Sequence, residues 1–164
     1  MSKLAMYLKK LIIIFTFLFL THLYSAEIII QGNSRVEYDD FTFTDNSKYI
    51  IINQKGQWTD SIGNYGASEC KGLIKRNDNN IIDFLDVICQ STNQNSVVTW
   101  RKFERTGSEI GRGVGVSTII DTTSKYKKQL IGTKCNYAVN RTKDMVFSKA
   151  VCKVSDELYK KLTQ

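Results

Sequence analysis

Gly56-Gln-Trp-Thr-Asp-Ser-Ile-Gly-Asn-Tyr-Gly-Ala-Ser-Glu-Cys-Lys-Gly72 carries four of the chain's ten glycines, one of its two tryptophans and the first of its four cysteines. Glycine at this density, interleaved with Asp, Ser and Asn, is turn chemistry. The stretch predicts a glycine-rich corner leading into a strand stapled by a disulfide. Lys55-Gly56 is expected to turn the chain into the corner, and Ser61 to Gly66 to turn it again.

Outward from the corner the text reads as strands. Upstream, Glu27–Gln31 and Lys48–Asn53 are short β-branched runs, with Arg35–Thr44 between them. In Arg35–Thr44, Val36 and Tyr38 share one parity and Phe41 and Phe43 the other, so Asp39-Asp40 predicts a bulge or bend. Downstream, Cys70–Lys75 and Ile81–Gln90 flank the turn cluster Arg76–Asn80, and Ser91–Asn95 is a polar turn before the strand Val97–Arg105. Gly111 to Ile120 alternates glycine with valine, which predicts a strand whose glycine face is approached closely by another backbone or side chain. Thr133–Arg141 and Met145–Val154 read as the last strands. Ser155–Leu162 reads as a short helix capped by Ser155, with acids in its first turn and lysines in its last. Turn signals recur every dozen or so residues without a helical period until the end, which predicts an all-β barrel or sandwich.

The first residues read differently. Lys3, Lys9 and Lys10 precede the apolar run Leu11–Leu20, and Ser25-Ala26 supplies a small-residue exit. That layout predicts a cleaved secretory signal peptide over residues 1–26, ending after Ser25 or Ala26, with an uncleaved anchor as the alternative. The domain is then 27–164, periplasmic or secreted, with no membrane span once the leader is removed. Losing the three leader lysines takes Lys+Arg from 23 to 20 against 16 Asp+Glu. The single histidine, His22, leaves as well, which excludes Ser-His and Cys-His catalysis in the domain and removes the commonest metal ligand. The remaining basic residues lie in dispersed pairs such as Lys75-Arg76, Arg101-Lys102 and Lys127-Lys128, which read as a solvated strand surface with no nucleic-acid partner.

Four cysteines in an exported chain imply two disulfides and allow three pairings. Cys70 and Cys89 are centred between Asn79 and Asn80, and Cys135 and Cys152 between Lys143 and Asp144. Both midpoints fall in turns, so each pair should face across a hairpin, where opposed Cα atoms lie about 4.5 Å apart. This predicts Cys70–Cys89 and Cys135–Cys152. The rival is a disulfide-linked β-sandwich of immunoglobulin type, with Trp100 following Cys89 and Cys152 as its mate; it places Ala150 where such domains carry a tyrosine.

Gly111-Arg-Gly-Val-Gly115 lacks the Lys-Ser/Thr ending of a phosphate loop, and Arg76–Asn80 lacks the ordered spacing of a calcium loop, so neither a cofactor nor a metal is expected. No catalytic residue is assigned. Carboxylates such as Asp60 or Glu69 are the available acid–base groups. Trp58, Asp60, Asn64, Tyr65 and Tyr126 are the candidate ligand-binding residues, the first four at a barrel mouth beside the glycine-rich corner.

Two motifs carry resemblances. Gly56-Gln-Trp58 resembles the Gly-x-Trp of lipocalins, where the tryptophan closes one end of a barrel. Asp121-Thr-Thr-Ser-Lys-Tyr-Lys-Lys-Gln-Leu-Ile-Gly132 resembles the Gly-Thr-Gly-Lys-Tyr…Gly turn of secreted bacterial barrels related to the allene oxide cyclase and dirigent proteins. Lys125, Tyr126 and Gly132 match; threonine and Ser124 stand where that turn has glycine. The second resemblance implies a single antiparallel meander β-barrel of about eight strands, with the short C-terminal helix. It leaves the activity open between cyclases and proteins that guide a reaction without performing it. The expected function is non-enzymatic binding of a small apolar or aromatic ligand or of an envelope partner. The alternatives are an isomerase- or cyclase-like enzyme using carboxylates, and an envelope structural or inhibitor protein.

Overall fold

In a computed structural model that describes residues 25–164, eight strands follow one another around a closed barrel, each antiparallel to its neighbours. They are β1 (Ser25–Thr42), β2 (Lys48–Asp60), β3 (Tyr65–Arg76), β4 (Ile82–Asn93), β5 (Val98–Arg105), β6 (Arg112–Thr122), β7 (Lys134–Thr142) and β8 (Met145–Ser155). A 3₁₀ turn, Tyr126–Leu130, lies between β6 and β7, and helix α1 (Asp156–Leu162) follows β8. The leader reading and His22 lie outside the described residues, apart from Ser25 and Ala26, which pair with Ser155 and Val154 at the start of β1.

Stagger sets the shape of the barrel. Stepping from Tyr38 to its Cα partner on each successive strand gives Ile52, Gly72, Val87, Phe103, Ser117, Cys135, Cys152 and then Ile28. The circuit returns to β1 ten residues from its start, Tyr38 against Ile28. A stagger of that kind tilts the strands by roughly 35–45° and requires long strands that pair with different neighbours over different lengths. β1 shows this directly, since Ser25–Arg35 pairs with β8 and Ile30–Thr42 with β2.

That requirement corrects three sequence expectations. Glu27–Gln31 and Arg35–Thr44 are one strand rather than two, continuous through Gly32-Asn33-Ser34. Register is unbroken from Tyr38↔Ile52 to Thr42↔Lys48, so Asp39-Asp40 forms no bulge and Phe41 faces outward. The chain does not turn at Lys55-Gly56, because β2 runs straight to Asp60 and the only turn in the glycine-rich corner is residues 61–64, with Gly63 at φ +88°. Gly56, Gly66 and Gly72 are strand residues. A Cβ on any of them would lie within 2.2 Å of a neighbouring strand's backbone oxygen, so glycine is required by close approach rather than by turning. A single barrel also excludes the sandwich.

Inward-facing side chains form two apolar clusters. One gathers Ile28, Ile119, Leu130, Cys135, Tyr137, Ala150, Cys152 and Val154, with Leu158 and Leu162 of α1 packed against it. Ser155 caps that helix by accepting from the Leu158 N–H at 3.2 Å. The other gathers Ile50, Ile52, Cys70, Ile74, Ile82, Val87 and Cys89. Each cluster contains a disulfide between directly opposed residues of one hairpin, Cys70–Cys89 and Cys135–Cys152. Two such bonds fit a non-reducing compartment.

Candidate functional site

The inward face of β5 reads Arg101, Phe103, Arg105, because alternate residues of a barrel strand point to the lumen. Those three side chains line a cavity of about 320 Å³ inside the barrel. Its mouth is at the end where β1, β3, β5 and β7 finish, rimmed by Asp40, Lys48, Arg76 and Arg141. Just inside come Ile50, Ile74 and Leu85, all within three residues of that end of their strands. Deeper, the wall turns polar, with Ser34, Gln54, Ser68, Ser91, Ser148 and Arg101, whereas Arg105, the last residue of β5, stands near the mouth level with Leu85. Ile110, from the β5–β6 loop, leans over the mouth, and its carbonyl accepts from Arg105 Nη2 at 3.2 Å.

Glycines on β6 make room for this arrangement. A Cβ on Gly115 would lie 2.7 Å from the Tyr137 ring, and one on Gly113 would lie 2.9 Å from Arg105 Nη1. The close approach read from the Gly-Val alternation is therefore made by Tyr137 and Arg105. Tyr137 packs edge-on to Phe103 with ring centroids 5.1 Å apart, and the Arg101 guanidinium lies 5.5 Å from the Phe103 centroid.

Charge is unbalanced inside. Asp40, at the rim, is the one carboxylate lining the cavity among the described residues, and it is paired with Lys48. Neither Arg101 nor Arg105 takes part in an ion pair among the described residues. Arg101 Nη1 and Arg105 Nε and Nη1 are buried without a hydrogen-bond partner, as are the hydroxyls of Ser91 and Ser117. Burial lowers the Arg101 guanidinium to about 10, with the field of Asp60 acting the other way. It remains a cation at neutral pH. Burial also lowers Arg105 and raises Tyr137, each partly offset by the other's field.

The structure distributes the residues singled out from the sequence. Trp58 borders the cavity near its inner end, held by a 3.2 Å bond from its indole N–H to the Ala67 carbonyl. Asp60 and Asn64 come together at the opposite end from the mouth. There Asp60 accepts from the Ile62 and Asn64 N–H groups at 3.1 and 2.8 Å and from Asn64 Nδ2 at 2.8 Å, so its oxygens are occupied in holding a turn. Tyr65, 60 % exposed, lines with Trp58 a second, more open cleft bordered by Gln31, Ala138 and Phe147, whereas Tyr126 is 87 % exposed and lines neither. Glu69 points outward beside Lys55 and Lys71. The cavity opens at the end of the barrel away from Asn64 and Tyr65.

Arg101 and Arg105 escaped the sequence reading, which placed Arg101-Lys102 on a solvated surface. Lys102 is there, paired with Asp86 and Glu104, but Arg101 is 8 % exposed. A signal existed in the strand's own alternation. Phe103 facing inward puts Arg101 and Arg105 on the same face.

Comparison with known proteins returns no matching family model, no matching curated protein and no matching solved structure.

Proposed function

We propose that the chain is an exported, non-enzymatic binding protein whose barrel holds one small organic ligand, apolar or aromatic in its body. The observation that carries this reading is the cavity. A purely structural barrel would fill its interior with side chains, whereas about 320 Å³ stays open from the rim to the inner serines, in the range of small-molecule sites. Export rests on the leader reading and on two disulfides that persist in oxidising compartments. Kinship with the allene oxide cyclase and dirigent barrels belongs to the same proposal and rests on Lys125, Tyr126 and Gly132; Lys125 and Tyr126 lead into the 3₁₀ turn, and Gly132 sits at φ +86° before β7. A carboxylate-driven enzyme finds less support, since Asp60 is committed to its turn and Glu69 faces outward.

Native mass spectrometry of protein isolated from its own compartment tests the proposal. A co-purifying small molecule, released on unfolding, is the expected result. A barrel that repeatedly arrives empty counts against it.

A further inference from the structure

The cavity has a polarity of its own. Apolar isoleucines stand near the entrance beside Arg105, and Arg101 and the serine hydroxyls stand at depth. Along β5, Arg101 is four residues nearer the closed end than Arg105, a rise of about 13 Å at the strand spacing. Phe103 lies between them on the lumenal face. An unpaired guanidinium held out of water is costly, and among the described residues neither arginine has a carboxylate in ion-pair contact, Asp60 acting on Arg101 only through its field. Guanidinium presents planar, forked donors that match an oxyanion, and the free hydroxyl of Ser91, which lines the same cavity, adds a donor.

We propose that the ligand is an amphipathic carboxylate that enters head first. Its oxyanion binds Arg101, and its apolar tail lies among Ile50, Ile74 and Leu85 towards the mouth, where Arg105 stands with the rim cations. Lys48, Arg76 and Arg141 at the rim favour approach of an anion. This inference rests on the reading of the barrel as a ligand carrier and adds the chemical class and the orientation. No bond is made or broken.

Isothermal titration of the disulfide-bonded protein with three probes separates the claims. Octanoate has head and tail, 1-octanol has the tail alone, and acetate has the head alone. Octanoate is expected to bind about ten- to a hundredfold more tightly than octanol, the range of a charge-assisted bond, with acetate weaker still. Arg101→Met should abolish the preference for octanoate over octanol, and Arg101→Lys should keep part of it; circular dichroism verifies that both variants are folded. In the octanoate complex, NMR contacts from the terminal methyl should reach Ile50 and Ile74.

Octanol binding as tightly as octanoate overturns the anion class and leaves the carrier reading standing. Undiminished octanoate preference in Arg101→Met moves the head to the rim and overturns the assignment to Arg101. Methyl contacts at Trp58 in place of Ile50 overturn the orientation. Failure of all three probes to bind overturns this inference, while the carrier reading falls only if the barrel also arrives empty in native mass spectrometry.

Discussion

At one end of the barrel, Leu130 of the 3₁₀ turn is buried in the same cluster as Ile28, Cys135 and Cys152, with Ile62 from the β2–β3 turn and Leu158 and Leu162 of α1 against it. At the other end the connections are short turns, such as residues 43–47 and 143–144, and the aliphatic side chains beneath them border open space. The same alternation of strand residues supplies both ends. What differs is the chain between strands. Residues 123–133 are long enough to fold back over the lumen, whereas a two-residue hairpin is not. The closed end is therefore a protein core and the open end a container.

This contrast can be broken by experiment, beginning with the disulfides. Each closes a loop of similar length, with sequence separations of 17 and 19, so loop-closure entropy favours both by about 3 kcal/mol. Replacing Cys135 and Cys152 with alanine should cost more than that figure, because Cys135 is fully buried and its removal leaves a void in packed core. Replacing Cys70 and Cys89 should cost about 3 kcal/mol, since the pair borders space that already exists. Urea denaturation ranks the two, and equal losses would dissolve the distinction between core and container.

The next largest effect is truncation of single side chains. Leu130→Ala at the closed end should cost about 3 kcal/mol, within the usual range for a buried leucine. Ile74→Ala beside the cavity should cost about 1–2 kcal/mol, because fewer packed atoms lose a neighbour. The same denaturation series measures both.

Arg101→Met should act in the opposite direction and raise the stability of the empty protein by about 1–3 kcal/mol, as removal of an uncompensated buried charge does. The pH dependence gives the sign independently. The folded-state value of Arg101, about 10, lies below that of a free guanidinium, so the fold's cost of holding the proton is full below pH 10. That cost falls as the pH rises above 10, so the advantage of Arg101→Met over the parent should narrow there. A variant less stable than the parent at pH 7 would show that the arginine belongs to the structure rather than to a ligand.

The smallest expected effect is at the edge of the closed end. Ser155→Ala removes the acceptor of the Leu158 N–H and should cost about 1 kcal/mol. Thermal unfolding followed by circular dichroism detects a loss of that size.

Much of the fold was legible because hairpins are local. Cys70 and Cys89 straddle Asn79-Asn80, and Cys135 and Cys152 straddle Lys143-Asp144; a residue and its partner across a turn follow from counting. Ser155 ahead of Asp156 and Glu157 marks a helix start for equally local reasons. The candidate site was less legible. Trp58 does border the cavity, but Asp60, Asn64 and Tyr65 were placed at a mouth on the strength of turn chemistry that serves equally well at a closed end.

By itself, then, the sequence determined most of the strands, the two disulfide pairs and the helix cap, since these depend on neighbours a few residues apart, while the continuity of β1 and the inward face of β5 were missed. Tertiary structure decided which end closes and that Arg101 stands unpaired inside. Closure depends on a stagger of ten residues accumulated over eight pairings, from Tyr38 round to Ile28. No single hairpin contains that sum, and only the closed circuit sets what Arg101 and Arg105 face across the lumen.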